Sequence, residues 1–227
     1  MKKIVILSAG PGLPEIVKLH GHSSEWIPDL LSSYNLDFII KNVYNKDKCY
    51  IDDGDAWIVT GSKYSVYDNI PWINDLVDFV KRLIEHKKPI LGICFGHQII
   101  AKSLGADVVK NPLGWELGAY NINLTKLGST HKLFSGINNN DIVYESHQDI
   151  VVNLPSNVNI LADTDKSIQS FQYNDNIYGV QFHPEFSWEV ARMLMDLRIA
   201  KGVSVDNNIL EKSINGDKIL NNFIDIV

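Results

Sequence analysis

Cys94 lies between two glycines, at a point where a run of apolar residues passes into a helical pattern. Residues 92–96 read Gly-Ile-Cys-Phe-Gly, so Gly92 and Gly96 each stand two residues from the thiol. A strand that turns directly into a helix holds its middle residue in a strained conformation, and small neighbours relieve the crowding. The turn would also place the thiol at a helix N-terminus, where unpaired N–H groups favour a thiolate. Taken alone, the pattern fits a buried structural cysteine as well as a nucleophile.

A base for this thiol is predicted in the segment His183-Pro184-Glu185, which follows a strand-like run. Pro184 favours an extended backbone, and alternation along a strand would direct His183 and Glu185 to the same face. Glu185 would then orient the His183 imidazole and leave its other nitrogen for Cys94. An isolated His-x-Glu is more often a surface pair. In this sequence the pair lies at the predicted sheet edge, where sites of α/β proteins form, and this position favours the catalytic interpretation.

The elements that must position these residues alternate between strands and helices. Four apolar runs rich in β-branched residues are predicted as buried parallel strands, at residues 3–8, 36–43, 55–60 and 89–94. Helical patterns cover residues 23–35, 71–87 and 96–105. The first helix is expected to begin at N-capping serines and to bury Trp26, Leu30 and Leu31 on one side. The last is expected to end at Gly105.

The pattern changes over residues 114–181, where short β-like runs are separated by turn residues. These runs are predicted as antiparallel strands and hairpins added to the sheet, and two further helices follow them. The fold class is therefore α/β, a doubly wound and mostly parallel sheet with added antiparallel strands. A single domain is expected over residues 1–227, with a C-terminal helical tail from about residue 197.

Composition excludes several classes of function. The formal net charge is −6 with a pI of about 5.6, which disfavours a nucleic-acid surface and an anionic membrane surface. No apolar run approaches a membrane span, and the N-terminal run reads as a strand rather than a leader. Two cysteines, Cys49 and Cys94, make no disulfide framework, so a cytoplasmic protein is predicted. The pair His20 and His22 lacks further ligand motifs, and a structural turn is the preferred interpretation over a metal site.

Five segments together resemble the class I glutamine amidotransferase family. They are GICFGHQ (92–98), VQFHPE (180–185), IVTGSKYSVYD (58–68), GWELG (114–118) and YESHQDIVVNLP (144–155). Their order resembles that of the amidotransferase part of GMP synthetases. The resemblance implies a flavodoxin-like fold, a Cys-His-Glu triad and hydrolysis of a γ-glutamyl amide through a thioester. No metal or organic cofactor is implied.

Carried onto this sequence, the resemblance makes Cys94 the nucleophile, His183 the general base and then acid, and Glu185 its orienting partner. The oxyanion hole would come from the backbone N–H groups of Ser62 and Phe95. Ser62 stands where the family usually has a second glycine, which leaves the N–H in place but alters the loop. Substrate-binding positions implied in the same way are Gly61, Gln98 and His147.

Three hypotheses about function follow. The first is a stand-alone hydrolase of a small γ-glutamyl substrate. The second is an ammonia-donating subunit that serves a separate acceptor enzyme. The sequence has no phosphate-binding loop pattern, which is compatible with both hypotheses and does not separate them. The third is a catalytically silent binding module, which the intact triad disfavours. The leaving amine stays open between glutamine, a γ-glutamyl peptide and a γ-glutamyl amine.

Overall fold

The computed structural model describes residues 1–205 and 210–227. Its strands are β1 (Lys2–Ser8), β2 (Leu36–Asn42), β3 (Ala56–Val59), β4 (Ile90–Ile93), β5 (Asp107–Lys110), β6 (Glu116–Asn121), β7 (Asn123–Leu124), β8 (Ile142–His147), β9 (Asp149–Val152), β10 (Val158–Asp163), β11 (Ile168–Tyr173) and β12 (Ile177–Val180). Its helices are α1 (Pro14–His20), α2 (Ser23–Leu30), α3 (Pro71–Glu85), α4 (Phe95–Ser103), α5 (Trp188–Ala200) and α6 (Lys218–Ile226).

Eight strands form the central sheet in the order β2-β1-β3-β4-β12-β11-β10-β7. The pairs from β2 to β12 are parallel, and those from β12 to β7 are antiparallel. The mostly parallel, doubly wound sheet is therefore confirmed. One detail is corrected, because β12 is parallel to β4, with Gly179 opposite Gly92, and antiparallel only to β11. This pairing brings the chain after β12 next to the chain after β4.

Four other strands lie outside the central sheet. β6 and β8 had been predicted as additions to that sheet, whereas β5 and β9 had not been predicted. β5 pairs with β9 and β6 pairs with β8, each as a separate antiparallel two-stranded sheet. The β6–β8 pair packs against α5 through an apolar cluster that includes Leu117, Tyr144 and Met195. Short β-like runs identified β6 and β8 in the sequence, but the partner that each strand takes depends on long-range packing.

β2 is a correction to the prediction of four buried strands. Most of its residues are only partly buried, because β2 lies at one edge of the sheet. β1, β3 and β4 have neighbours on both sides, and the cores of all three are fully buried. Local apolar runs do not distinguish an edge strand from a central one.

The start of α2 also differs from the prediction. The N-cap is His22, whose Nδ1 accepts a hydrogen bond from the Ser24 N–H at 3.3 Å, and Glu25 accepts a bond from the His22 N–H at 2.9 Å. This reciprocal arrangement satisfies two N–H groups at the helix start. Leu30 is exposed, whereas Leu31 is fully buried. His20 ends α1 and His22 caps α2, so the two histidines lie where these helices join.

Helices cover both faces of the sheet. α3 begins with Pro71 at its first turn and, together with α4, contributes to one apolar core. The other core receives residues of α2 and α6, including Phe223, which is fully buried. The helices predicted at α2, α3, α4 and α6 are confirmed, whereas α1 had not been predicted. None of the helices in the described part of the chain has the length and apolar character that a membrane crossing requires.

Candidate active site

The turn from β4 into α4 has the geometry that the glycine spacing predicts. Cys94 has φ 52° and ψ −101°, a positive φ that a residue with a Cβ adopts only at a cost. A Cβ on Gly92 would lie 2.4 Å from the carbonyl of Gly96. A Cβ on Gly96 would lie 2.2 Å from the carbonyl oxygen of Val59 in β3. Only glycine fits at these two positions, so the turn holds Cys94 at the carboxyl end of the sheet.

His183 and Glu185 are in contact, although the reason differs from the predicted one. β12 ends at Val180, and Pro184 and Glu185 lie in a turn rather than in an extended strand. The His183 N–H donates to the Tyr144 carbonyl at 2.9 Å, which fixes the start of this turn against β8. His183 Nδ1 lies 2.8 Å from Glu185 Oε1, and both side chains are buried. Alternation along a strand is therefore not what brings the two side chains together.

The charges around His183 favour its protonated form. Burial alone would lower the pKa of the imidazole. The negative charges of Glu185 and Cys94, and hydrogen bonds with both side chains, hold that pKa well above its usual value. His183 therefore lies between the thiol and the carboxylate, and both groups act to raise its pKa.

Two further residues limit the freedom of the imidazole. A Cβ on Gly61 would lie 2.9 Å from His183 Cε1 and 3.7 Å from Cys94 Cβ, so the loop after β3 closes over both residues. Phe186 stacks on the His183 ring, with centroids 3.8 Å apart and planes at 9°. Phe186 had not been identified from the sequence. Its place three residues after the histidine was the only available signal.

Ser62 and Phe95 both line a cavity of about 290 Å³ that contains Cys94 and is called the thiol cavity here. Phe95 is the first residue of α4, and the N–H of such a residue has no acceptor within its own helix. The Ser62 Oγ accepts a hydrogen bond from the Tyr64 N–H at 3.3 Å. Ser62 also packs closely against Gly10, where a Cβ would lie 3.0 Å from that oxygen. The serine side chain is thus accommodated within its own loop.

Gln98 and His147 line the same cavity. Gln98 Nε2 donates to the Asp149 carbonyl at 2.9 Å and to Gln181 Oε1 at 3.1 Å, which anchors its side chain. His147 Nδ1 lies 3.2 Å from the same Asp149 carbonyl. The Asp149 carboxylate accepts hydrogen bonds from the Ser65 and Tyr67 hydroxyls. The structure therefore brings Gln98 and His147 to the wall of the thiol cavity, whereas Gly61, the third predicted substrate-binding residue, lines a neighbouring cavity together with His183.

Comparison with known proteins adds evidence of another kind. The model of the glutamine amidotransferase class-I family matches residues 19–196. The chain belongs to this family. This class I glutamine amidotransferase is 34% identical to a glutamine amidotransferase-like protein of Schizosaccharomyces pombe, over 89% of this chain and 86% of the yeast protein.

Other relatives carry more specific names. Gamma-glutamyl peptidase 4 of Arabidopsis thaliana is 31% identical over 70% of this chain and 64% of its own length. A glutamine-hydrolyzing GMP synthase subunit of Sulfurisphaera tokodaii is 33% identical over 71% of this chain and 78% of its own. A crystal structure assigned as a GMP synthase subunit of Thermoplasma acidophilum superimposes with a TM-score of 0.70 at 26% identity, over 100% of this chain and 94% of that one. The flavodoxin-like α/β fold of the amidotransferases is thereby confirmed. The chain spans less than two thirds of several curated relatives, 54–66% of their length.

A buried acidic cluster behind the thiol cavity was missed in the sequence of this amidotransferase. His147 Nε2 lies 3.0 Å from Glu145 Oε2 and 3.5 Å from Glu116 Oε2. Burial, and the charge of Glu116, raise the pKa of Glu145 to about 7 although His147 acts to lower it. Glu116 also accepts hydrogen bonds from Thr164 at 2.6 Å and Ser167 at 2.5 Å. The cluster fixes the orientation of His147 and hence one wall of the cavity.

His97 has the packing role that was preferred for it. Its ring is fully buried against Phe171, with centroids 4.7 Å apart. Burial lowers the pKa of His97 to about 3, so the side chain stays neutral at ordinary pH. It lies on α4, the helix whose N-cap is Cys94, but does not line the thiol cavity.

Proposed function

We propose that the chain hydrolyses the γ-glutamyl amide bond of a small substrate, with Cys94 as nucleophile, His183 as acid and base, and Glu185 as its orienting partner. The observation that supports this most directly is that Cys94, His183 and Glu185 lie next to one another at the carboxyl end of the sheet. All three are buried, and the imidazole lies between the thiol and the carboxylate. This is the arrangement that activates a nucleophile in triad hydrolases.

In the first step, the Cys94 thiolate attacks the γ-carbonyl carbon, and a C–S bond forms. Negative charge develops on the carbonyl oxygen, where the N–H groups of Ser62 and Phe95 would stabilise it. His183 then gives its proton to the leaving nitrogen, the C–N bond breaks and the amine departs. The glutamyl thioester remains on the enzyme.

In the second step, His183 removes a proton from a water molecule, which attacks the thioester carbon. The C–S bond breaks, glutamate leaves and the thiolate–imidazolium pair returns. Glu185 stabilises the imidazolium and keeps the ring oriented. Gln98 and His147, which line the thiol cavity, would hold the glutamyl half, and Gly61 would close the loop over Cys94 and His183.

The test is release of glutamate from glutamine, γ-glutamyl peptides and γ-glutamyl amines, with Cys94→Ala as control. Turnover of at least one compound that disappears in Cys94→Ala is the expected result. Turnover that survives in Cys94→Ala, or a thiol that iodoacetamide does not alkylate, would contradict the assignment of the nucleophile.

A second function is favoured by one comparison, the relative named as a GMP synthase subunit. In that case, the same chemistry would supply ammonia to a separate acceptor enzyme. Negligible turnover by the isolated chain, together with ready alkylation of Cys94, would favour this function over a free hydrolase.

A further inference from the structure

Arg198 of α5 is a positively charged side chain that no carboxylate balances within the described part of the chain. Its guanidinium lies over the ring of Trp115, with 4.9 Å between Cζ and the centroid, and its Nε is buried without a hydrogen-bond partner among residues 1–205 and 210–227. Burial lowers the pKa of this guanidinium, while the negative charge at Cys94 acts to raise it. A partly buried charge without a partner is costly, so a ligand is the natural source of the missing anion.

Arg198 lies where two cavities meet. One is the thiol cavity, and the other is a recess of about 100 Å³ beside it, called the apolar recess here. Ser62, Lys63, Ser146 and Arg198 line both. The remaining wall of the recess is largely apolar, with Leu13, Ile16, Val17, Trp26, Phe186 and Leu194. A molecule that reaches from one cavity into the other therefore passes the guanidinium.

The position of His183 shows which half of a substrate would enter the recess. Cys94 lines the thiol cavity, whereas His183 lines the apolar recess. In the proposed reaction the leaving nitrogen takes its proton from His183, so the leaving amine must lie on the side of the recess. The glutamyl half then occupies the thiol cavity, beside Gln98 and His147.

The described carboxylates that line the two cavities do not compete for the guanidinium. Glu185 lines the recess, but its Oε1 is bonded to His183 at 2.8 Å. Asp149 lines the thiol cavity and accepts hydrogen bonds from Ser65 and Tyr67. Lys63, at the boundary, adds a second positive charge.

We propose that Arg198 binds a carboxylate on the leaving amine, so that the preferred substrates are γ-glutamyl derivatives of apolar amino acids. The apolar recess would hold the side chain of that amino acid, and the planar guanidinium would bind its carboxylate through two N–H groups. This inference rests on the proposed function, because it assumes that the amine leaves on the side of His183.

The experiment compares two substrates that differ by one carboxylate, γ-glutamyl-leucine and γ-glutamyl-3-methylbutylamide. Wild-type enzyme should prefer γ-glutamyl-leucine. Arg198→Met keeps an unbranched side chain against Trp115 but removes the charge, and should lower kcat/KM for γ-glutamyl-leucine by about 30-fold or more. The value for the amide should change little. Arg192→Met is the matched control on the same helix, since Arg192 pairs with Asp196 at 3.0 Å and lines neither cavity.

Two results would overturn the inference. An equal loss on both substrates would place the anion that Arg198 binds on the glutamyl half, and an unchanged ratio with full activity would show that no carboxylate is bound there. Arg198→Lys should recover part of the preference, because charge is restored without the two-pronged geometry.

Calorimetric binding separates failure of this inference from failure of the proposed function. Cys94→Ala should bind γ-glutamyl-leucine more tightly than the amide, and Cys94→Ala/Arg198→Met should lose that preference. If wild type turns over neither these two substrates nor glutamine while this binding pattern is found, the proposed function is wrong and the carboxylate site stands. Equal binding of both substrates by Cys94→Ala would refute the site itself.

Discussion

The backbone strain at Cys94 makes a prediction about stability that needs no substrate. At φ 52° and ψ −101°, a residue with a Cβ pays an energetic cost that glycine does not pay. Both Cys94→Ala and Cys94→Gly remove the thiol, but only the glycine variant removes the Cβ. Cys94→Gly should therefore be the more stable of the two, the reverse of the usual order for alanine and glycine.

The size of the effect follows from three contributions. Relief of the strained conformation is worth about 2 kcal/mol. The greater conformational freedom of glycine in the unfolded chain destabilises Cys94→Gly by about 0.7 kcal/mol. Loss of the methyl group costs part of about 0.8 kcal/mol, since this Cβ borders a cavity. Cys94→Gly should thus unfold with a free energy about 0.5–1 kcal/mol above that of Cys94→Ala.

The assay is urea unfolding followed by circular dichroism at one pH, with the two variants measured side by side. Ala101→Gly is the control, because Ala101 lies within α4 and is fully buried. That substitution should cost about 1 kcal/mol or more. If Cys94→Gly is less stable than Cys94→Ala by a similar amount, the strain at the turn is absent and the reasoning fails.

Three other predictions concern the same site. Glu185→Gln should reduce kcat for glutamate release by about 100-fold or more, and should move the high-pH fall of kcat/KM to lower pH, because the pKa of His183 drops. Phe186→Leu should lower kcat about fivefold with little change in KM, since the ring stacked on His183 at 3.8 Å is lost. Gly96→Ala should lower the free energy of unfolding by about 3 kcal/mol, because its Cβ would lie 2.2 Å from a backbone oxygen. Gly105→Ala should cost less, because its Cβ would meet no described atom within 4 Å and only the strain of its φ of 96° remains.

The raised pKa of His183 also sets the sign of a pH effect on stability. A histidine whose pKa is higher in the folded state stabilises the fold below its unfolded pKa, about 6.5, and the contribution is lost as pH rises through the folded value. Unfolding of wild type and Glu185→Gln measured from pH 6 upwards should show a difference that shrinks through this range. A constant difference would mean that His183 does not titrate in that window.

Contrary outcomes for the other variants are equally definite. A high-pH limb that does not move in Glu185→Gln would show that the carboxylate does not act on His183. A rise in KM for Phe186→Leu, with kcat unchanged, would place that ring at the substrate instead. If Gly96→Ala were no less stable than Gly105→Ala, the contact between α4 and β3 would cost no more than the backbone strain at Gly105, and the steric argument would fail.

The sequence by itself determined the features that depend on near neighbours. The turn at Cys94 was predictable because Gly92 and Gly96, both within two residues of it, are the small residues that such a tight turn requires. The contact of His183 with Glu185 was predictable from their spacing of two residues, although a turn rather than a strand produces it. Helices such as α3 were predictable because a local apolar period decides which face is buried.

Only the tertiary structure decided which distant segments meet. β12 is parallel to β4, and this pairing, rather than any local pattern, carries His183 to Cys94. The buried cluster of Glu116, Glu145 and His147 joins β6 to β8, and Arg198 reaches Trp115 from another element. Spacing along the chain contains no information about these contacts. These contacts arise because strand pairing and helix packing bring residues that are distant in the sequence to the same end of the sheet.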